Sequence, residues 1–274
     1  VQTMCPPAMG PTTIKGVVNI PAGNLPLYNA KVYIPIGETL PPPPESGAAC
    51  DRCDFPGNPF TTQTNDRGEF TLENVPSGSN MPLIVRVGKW RRVVQLPPVK
   101  DCTTTTLDTD LTRLPRNKNE GNIPKIALST GGYDALECLL RRNKLGIDDS
   151  EFTNPSGPGR VNLYAGGVNG SPFDSRGAIK YNAALGGADF PLSNPWWNTL
   201  GNLTPYDIIM LSCEGRETGT EKSAAAHAAL HSYLNMGGRV FASHWHNIWF
   251  TDAVQLANQP TEPPLSVIAK FERE

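Results

Sequence analysis

The chain has 274 residues, including 26 Gly and 27 Pro, with 38% hydrophobic residues and a formal net charge of −2. This near-neutral charge gives no broad electrostatic attraction to nucleic acid or to an anionic membrane, so neither is predicted as a partner. The hydrophobic content excludes general disorder, and no run reaches the roughly 18 apolar residues that span a bilayer. Length and a change of character near residue 115 predict two domains, residues 1–114 and 115–274.

The cysteines indicate the compartment. Their number, six, is even, and their spacing does not fit a zinc ribbon, so we predict disulfides in an oxidising environment, with free thiols as the alternative. The beginning of the sequence at Val1 is typical of a processed end, which also favours an extracellular or cell-envelope location. Cys50 with Cys53 is an expected pair, and Cys138 with Cys213 is a candidate pair. The disulfide candidates are Cys5, Cys50, Cys53, Cys102, Cys138 and Cys213.

Short β-rich runs separated by turn residues fill the first domain. Residues 61–64 and 69–72 flank an Asn-Asp-Arg-Gly turn that suits a tight hairpin, and residues 83–88 and 92–96 form a second hairpin. With the strands predicted at 13–20 and 30–35, the pattern indicates a small antiparallel β-sandwich.

A Pro-rich, Cys-containing insertion at residues 37–60 interrupts this pattern. We interpret it as a stapled surface loop, with an extended polyproline spacer or docking ridge as a further role. A redox CxxC motif would lie at a helix start, whereas Cys50 and Cys53 lie among prolines. Oxidoreductase chemistry is therefore not predicted.

Residues 12–112 resemble the transthyretin-like sandwich called the carboxypeptidase regulatory-like domain. The resemblance is carried by Gly16, by Asp66-x-Gly68-x-Phe70 and by Val75-Pro76-x-Gly78, in the order of the family. It implies an accessory module of secreted or surface proteins, used for spacing, stabilisation or adhesion.

After a polar linker at residues 113–123, the second domain alternates apolar strands with helices. Strands are predicted at 125–130, 206–212 and 239–243, and a helix at 221–235 that a Gly-Gly pair ends. Continuous apolar strands alternating with helices indicate a parallel sheet covered on both faces, so the fold class is a β-sandwich followed by an α/β domain.

The segments "YDIIMLSCEG" and "AALHSYLNMGGRVFASHWHN" resemble the flavodoxin-like core shared by class I glutamine amidotransferases and ThuA-like proteins, over residues 123–250. The amidotransferases place a nucleophilic Cys just after the last of these strands, where this chain has His244, so the resemblance does not imply glutaminase activity. A ThuA-like protein more often has His there. The domain is expected to be incomplete at its C-terminus, with one further strand at residues 265–271. The whole chain resembles uncharacterised bacterial surface proteins that join these two modules.

Ligands of open α/β sheets bind beyond the carboxyl ends of the strands, which predicts one rim built from three strand ends. His244 and Glu214 are the catalytic candidates. His244 and His246, two apart on an extended segment, are candidate ligands of a divalent metal, with Glu214 or Cys213 as a third. The alternative is that both rings bond to loop backbone and pack with Trp245 and Trp249. Binding candidates on this rim are Ser129, Thr130, Gly131, Gly132, Trp245 and Asn247.

The adjacent pair Trp196 and Trp197 is a candidate contact for a sugar or a protein partner, with burial of one of them as the alternative. His227 and His231 share a helix face, but without an intervening HExxH glutamate they indicate a half-exposed stripe instead of a zinc site.

These observations favour a secreted or cell-envelope binding or structural protein with a catalytically degenerate amidotransferase-like domain. Its partner would be a cell-surface polymer or a protein, and no cofactor is expected. One alternative is a hydrolase of a carbohydrate or amide that uses His244, His246 and Glu214 around a divalent metal or a water. Another is a subunit of an extracellular assembly that self-associates through Trp and Pro-rich surfaces.

Overall fold

The computed structural model describes residues 4–37, 40–50, 58–141, 143–167, 176–181, 187–216 and 222–251. The chain forms two compact units. The first comprises Val1–Glu45, Arg52–Ile123 and Leu140–Glu151, and the second comprises Ser46–Asp51, Pro124–Leu139 and Phe152–Glu274. Cys53 of the predicted Cys50–Cys53 pair and the strand predicted at 265–271 lie outside the described residues. Within the described ranges, no helix has the length and apolar character needed to cross a membrane.

The first unit is built from two β-sheets. Its elements are β1 (Thr13–Val17), β2 (Lys31–Tyr33), β3 (Thr61–Gln63), β4 (Glu69–Glu73), β5 (Pro82–Val87), β6 (Trp90–Gln95), β7 (Thr104–Thr106), the helix α1 (Thr109–Thr112) and β8 (Gly121–Asn122). One sheet has the order β4-β1-β7 and the other the order β3-β2-β5-β6-β8. All pairs are antiparallel except β1 with β7, which is parallel.

Both sheets contribute side chains to one hydrophobic core, which is the arrangement of a β-sandwich. Ile14 and Leu72 come from the smaller sheet, and Val32, Leu83 and Val85 from the larger one, all of them buried. The alternation of buried and exposed residues in β4 agrees with one face on this core and one on solvent.

The predicted turn between β3 and β4 is present, but the hairpin prediction is wrong. Gly68 has φ +70° and donates its N–H to the Asn65 carbonyl over 3.0 Å. However, β3 pairs with β2 whereas β4 pairs with β1, so the turn carries the chain from one sheet to the other. The Gly68 carbonyl accepts the N–H of Val18, which follows the end of β1. This bond attaches the turn to the sheet that contains β1 and β4. The second predicted hairpin, β5 with β6, is confirmed.

Gly16 and Phe70 explain part of the motif in the first unit. They are opposite each other in the β1–β4 register, and a Cβ on Gly16 would lie 2.8 Å from the Phe70 ring. The close approach of the ring to the backbone therefore requires glycine at this position.

The predicted linker is folded into the first unit. Gly121–Asn122 forms β8 against Arg91 and Arg92, and the buried Arg113 makes two hydrogen bonds to the Glu120 carboxylate, at 2.6 and 2.8 Å. The Arg113 guanidinium lowers the pKa of Glu120 to about 2. The first unit thus continues past residue 114 to Ile123.

The second unit has one five-stranded sheet in which every pair is parallel, as the continuous apolar runs predict. Its elements are β9 (Ile126–Ser129), α2 (Leu136–Leu140), β10 (Phe152–Thr153), β11 (Val161–Tyr164), α3 (Ser193–Trp197), α4 (Leu200–Leu203), β12 (Ile208–Leu211), α5 (Ala224–Asn235), β13 (Arg239–Ala242), a 3-10 helix (His244–Asn247) and α6 (Ile248–Thr251). The strand order is β10-β11-β9-β12-β13.

Helix α5 follows its sequence signals closely. Its N-cap residue Ser223 accepts a hydrogen bond from the Ala226 N–H over 3.2 Å, and Gly237 with φ +87° ends it. The buried face of this helix, including Leu230 and Tyr233, packs in a core with Ile209 and Leu211 of β12. The chain then enters β13, whose end leads into the predicted site.

Candidate functional site

The carboxyl ends of β9 and β12 meet at the point where the sheet connections diverge. From β9 the chain proceeds to β11 on one side and later to β12 on the other, and the crevice of an open α/β sheet lies at such a point. Tyr133 donates its N–H to the Cys213 carbonyl over 3.1 Å, and a Cβ on Gly131 would overlap the Ser212 and Cys213 carbonyls. The structure therefore brings the segment after β9 against the segment after β12.

Glu214 and Lys222 form a buried ion pair beyond the end of β12. The Lys222 ammonium donates to Glu214 Oε2 over 2.8 Å, and each side chain is 1% exposed. The other oxygen, Oε1, accepts the N–H of Gly167 over 3.2 Å. The ammonium also lies 5.4 Å from the Trp197 ring centroid. Both carboxylate oxygens of Glu214 are therefore engaged inside the protein.

His246 is a buried, neutral imidazole with both ring nitrogens in hydrogen bonds. Nε2 donates to the Ser212 carbonyl over 2.8 Å, and Nδ1 accepts the indole N–H of Trp249 over 3.0 Å. Burial lowers the pKa of His246 to about 4, helped by the nearby Lys222 and opposed by Glu214. Its Nε2 is 3.7 Å from Glu214 Oε1. In this arrangement no lone pair of His246 is left for a metal ion.

His244 faces a different partner. It begins the 3-10 helix with φ +40°, and its Nδ1 lies 3.2 Å from the Cys213 sulfur. The expectation that His244 and His246 share one side of an extended segment is wrong, because residues two apart on a helical turn point in different directions. His244 is exposed whereas His246 is buried. A Cys–His contact thus replaces the predicted His–His pair.

Asp134 holds the ends of two strands together and was not among the sequence candidates. Its Oδ1 accepts the Cys213 N–H over 2.8 Å, and its Oδ2 accepts the Ser243 hydroxyl over 2.5 Å. An acidic residue closely following a predicted strand end was the available signal. Lys222 was also missed, because a single lysine before a helix does not indicate burial.

The predicted binding residues differ in accessibility. Ser129 and Thr130 are both fully buried; Ser129 Oγ lies 2.7 Å from Ser193 Oγ, and Thr130 Oγ1 donates to the Ala178 carbonyl over 2.7 Å. Gly131 is buried and Gly132 exposed. The hydroxyl groups of Ser129 and Thr130 are therefore engaged inside the protein and do not face a ligand.

The tryptophan prediction at 196 and 197 is overturned, because both side chains are buried, at 6% and 2% exposure. Trp196 stacks on Tyr164 with ring centroids 4.1 Å apart, and Trp197 meets Trp249 edge-on at 5.2 Å. This aromatic cluster is core. In contrast, Trp245 is 37% exposed and Asn247 is also exposed, so these two remain accessible on the rim.

The two remaining histidines, His227 and His231, differ in exposure. His227 is buried, with its ring 5.0 Å from that of Trp249, and His231 is half-buried. Across the ranges that the structure describes, no group of three or more His, Cys, Asp or Glu side chains converges as a metal ion would require.

One disulfide is present among the described cysteines and joins Cys5 to Cys102 in the first unit. Cys50, Cys138 and Cys213 have free thiols. The candidate Cys138–Cys213 pairing is therefore not found: Cys138 lies exposed on α2, while the buried Cys213 sulfur points to His244.

Together these features define a protein with a β-sandwich unit and a parallel α/β unit whose strand ends carry a polar and aromatic rim. No family model and no curated protein matches the chain. Among solved structures, it is similar to a type II cohesin–X-dockerin complex from Acetivibrio cellulolyticus, with 14% identity over 50% of this chain and 88% of that chain. The TM-score is 0.27, at which the two chains are not shown to share a fold.

Proposed function

We propose that the chain is a secreted or cell-envelope binding protein that recognises a cell-surface polysaccharide at the strand-end rim of its α/β unit. The observation that carries this proposal is the exposure of Tyr133 and Trp245, at 61% and 37%, on a rim whose acidic and imidazole groups at Glu214 and His246 are buried in structural bonds. Tyr133 and Trp245 face solvent there, whereas Glu214, one of the two predicted catalytic residues, is buried.

The α/β unit is degenerate with respect to glutamine hydrolysis. His244 occupies the position at which the resembled amidotransferases carry their nucleophile. Glu214 has both oxygens engaged, and His246 has both nitrogens engaged. The hydrolase alternative needs these three residues free around a metal or a water, so the contacts favour binding.

A series of contacts connects the two exposed rings, Tyr133 and Trp245. The Tyr133 ring packs on Gly215, whose N–H donates to the Cys213 sulfur over 3.4 Å. The same sulfur contacts His244, and the His244 ring lies 5.1 Å from the Trp245 ring. Aromatic faces stack on the apolar faces of sugar rings, and the exposed amide of Asn247 suits their hydroxyl groups. A saccharide chain is the ligand class that this surface fits.

Further features support the parts of the proposal that concern family and location. The four longer strands have the order β11-β9-β12-β13, which corresponds to 2-1-3-4 and supports a flavodoxin-like core. The Gly16–Phe70 contact supports a transthyretin-like sandwich. The Cys5–Cys102 disulfide supports an oxidising compartment. The assembly alternative has lost its tryptophan surface, since Trp196 and Trp197 are buried.

Binding of the purified chain to immobilised bacterial surface polysaccharides tests the proposal. Trp245→Ala and Tyr133→Ala should each weaken binding about tenfold, since each removes one stacking face. Tyr28→Ala is the matched control, because Tyr28 is 71% exposed and belongs to the first unit. Equal binding by all three variants, or no binding by the parent chain, would contradict the proposal.

A further inference from the structure

We propose that Cys213 and His244 form a nucleophile–base pair that is acylated by small acyl esters. This goes beyond the proposed binding role and does not depend on it. The two side chains come from different strand ends, and Cys213 Sγ lies 3.2 Å from His244 Nδ1. A thiol within hydrogen-bond reach of an imidazole is the arrangement that cysteine nucleophiles use.

The backbone holds both partners in place. Cys213 directly follows Ser212 at the end of β12, and its N–H is anchored on Asp134 over 2.8 Å. Ser243, which precedes His244, is anchored on the other oxygen of the same carboxylate over 2.5 Å. His244 itself has a left-handed backbone at φ +40° and packs on Trp245. Asp134 is thus a positioning residue for both members of the pair.

The environment of the sulfur agrees with this role. The Gly215 N–H points at Sγ over 3.4 Å, on a glycine whose Cα is covered by the Tyr133 ring. Cys213 is 3% exposed, while His244 is exposed beside it. The thiol is therefore at the floor of the rim, with the imidazole on its solvent side. Cys138 is a free thiol on an exposed helix position and provides an internal comparison.

The reaction needs no reactant other than the ester and water. The Cys213 thiol gives its proton to His244 Nδ1 and the sulfur attacks the ester carbonyl carbon. A carbon–sulfur bond forms, the carbon–oxygen bond to the leaving group breaks, and the imidazolium returns the proton to the departing oxygen. Water then hydrolyses the thioester to a carboxylic acid and the free thiol.

An ester is the substrate class that this pair suits. An amide nitrogen must be protonated as it leaves, and a full triad supplies an oriented imidazole for that purpose. Among the residues that the structure describes, no carboxylate is hydrogen-bonded to His244, so the pair lacks the third member. An ester oxygen departs more readily and makes less demand on the base.

The test uses p-nitrophenyl acetate with the full chain. Release of p-nitrophenolate is followed by absorbance, and the acetylated residue is located by mass spectrometry of peptides. We expect one acetyl group on Cys213, no acylation there in Cys213→Ser, and a rate about 100-fold lower in His244→Asn. Asparagine is chosen because it tolerates a positive φ. Cys138→Ser should leave the Cys213 rate unchanged.

Acetylation of Cys138 with Cys213 unmodified would overturn the proposal, as would an unchanged rate in His244→Asn. Because Cys213 is buried, its variant is first checked for folding by circular dichroism. His244 is exposed, so His244→Asn still tests the proposal if Cys213→Ser does not fold.

Discussion

The Lys222 ammonium lies 2.8 Å from a Glu214 carboxylate oxygen, and both side chains are 1% exposed. Replacing Lys222 by Met removes the cation that pairs with the buried Glu214 carboxylate. We expect Lys222→Met to lower the free energy of unfolding by about 3–5 kcal/mol, measured by urea denaturation.

The double variant Glu214→Gln with Lys222→Met removes both charges and should recover a large part of that loss. Lys180→Met is the matched control: Lys180 pairs with Asp189 over 3.2 Å, but their side chains are 40% and 74% exposed. Its effect should stay within about 1 kcal/mol. A Lys222 variant as stable as the Lys180 variant would show that the pair contributes nothing.

The buried His246 should make stability depend on pH. Its folded pKa is about 4, below the ordinary value of 6.5, so between these pH values the unfolded chain binds more protons than the folded chain. The contribution of His246 to the free energy of unfolding is therefore fully present above pH 6.5. It is lost as the pH falls towards 4, and the loss is up to about 3 kcal/mol.

Urea midpoints from pH 7.5 to pH 4.5 measure this dependence. In His246→Gln the slope should flatten over that window, whereas the half-buried His231→Gln should retain it. A parent chain with the same slope as His246→Gln would contradict the assignment of His246 as a neutral buried ring.

The Cys5–Cys102 disulfide closes a loop with a sequence separation of 97 residues in the first unit. Replacing both cysteines by Ser should lower the stability of that unit by about 4 kcal/mol, because the open unfolded chain gains entropy. Thiol counting under denaturing, non-reducing conditions provides the companion measurement. Four thiols are expected, because the Cys5–Cys102 bond uses two of the six cysteines and Cys50, Cys138 and Cys213 are free; six would show that Cys5 and Cys102 are not joined.

Gly131 should not tolerate a side chain. A Cβ there would overlap the Ser212 and Cys213 carbonyls, which are backbone and cannot rotate away. Gly131→Ala should cost about 1–3 kcal/mol by overpacking and should disturb the rim. Gly201→Ala is the control: its Cβ would meet nothing within 4 Å in α4, so the change should be neutral or stabilising by up to about 1 kcal/mol. The two variants are compared by thermal melting, and equal melting temperatures would refute the packing argument.

Much of the architecture follows from local pattern. The apolar runs ending at Ser129, Leu211 and Ala242 form three neighbouring parallel strands. Their ends therefore converge on one rim, as predicted. Burial on both faces holds for β9 and β12, whereas β13, last in the strand order, has no buried residue and exposes 51% of Phe241. Pattern did not reveal that β3 and β4 belong to different sheets, since a tight turn fixes the chain reversal but not the pairing partner.

The site was harder to predict because side-chain direction depends on the backbone beyond the last strand. His244 and His246 share one side only in extended chain, and the 3-10 helix separates them. Burial of Trp196 and Trp197 arises from a short helix packed on Tyr164 and Trp249, a long-range contact that spacing does not encode. The Cys213–His244 contact depends on the left-handed backbone of His244, with φ +40°, which the residue type does not predict.

The Cys5–Cys102 bond also determines how the first unit responds to mechanical force. Strands β1 to β6 all lie between the two cysteines, whereas β7, α1 and β8 follow them. Tension applied to the two ends of the chain passes through the sulfur–sulfur bond and leaves the enclosed strands unloaded. Pulled in an oxidising medium, this unit would lengthen only by the segments outside the closed loop, and a reductant would convert it into a fully extensible one.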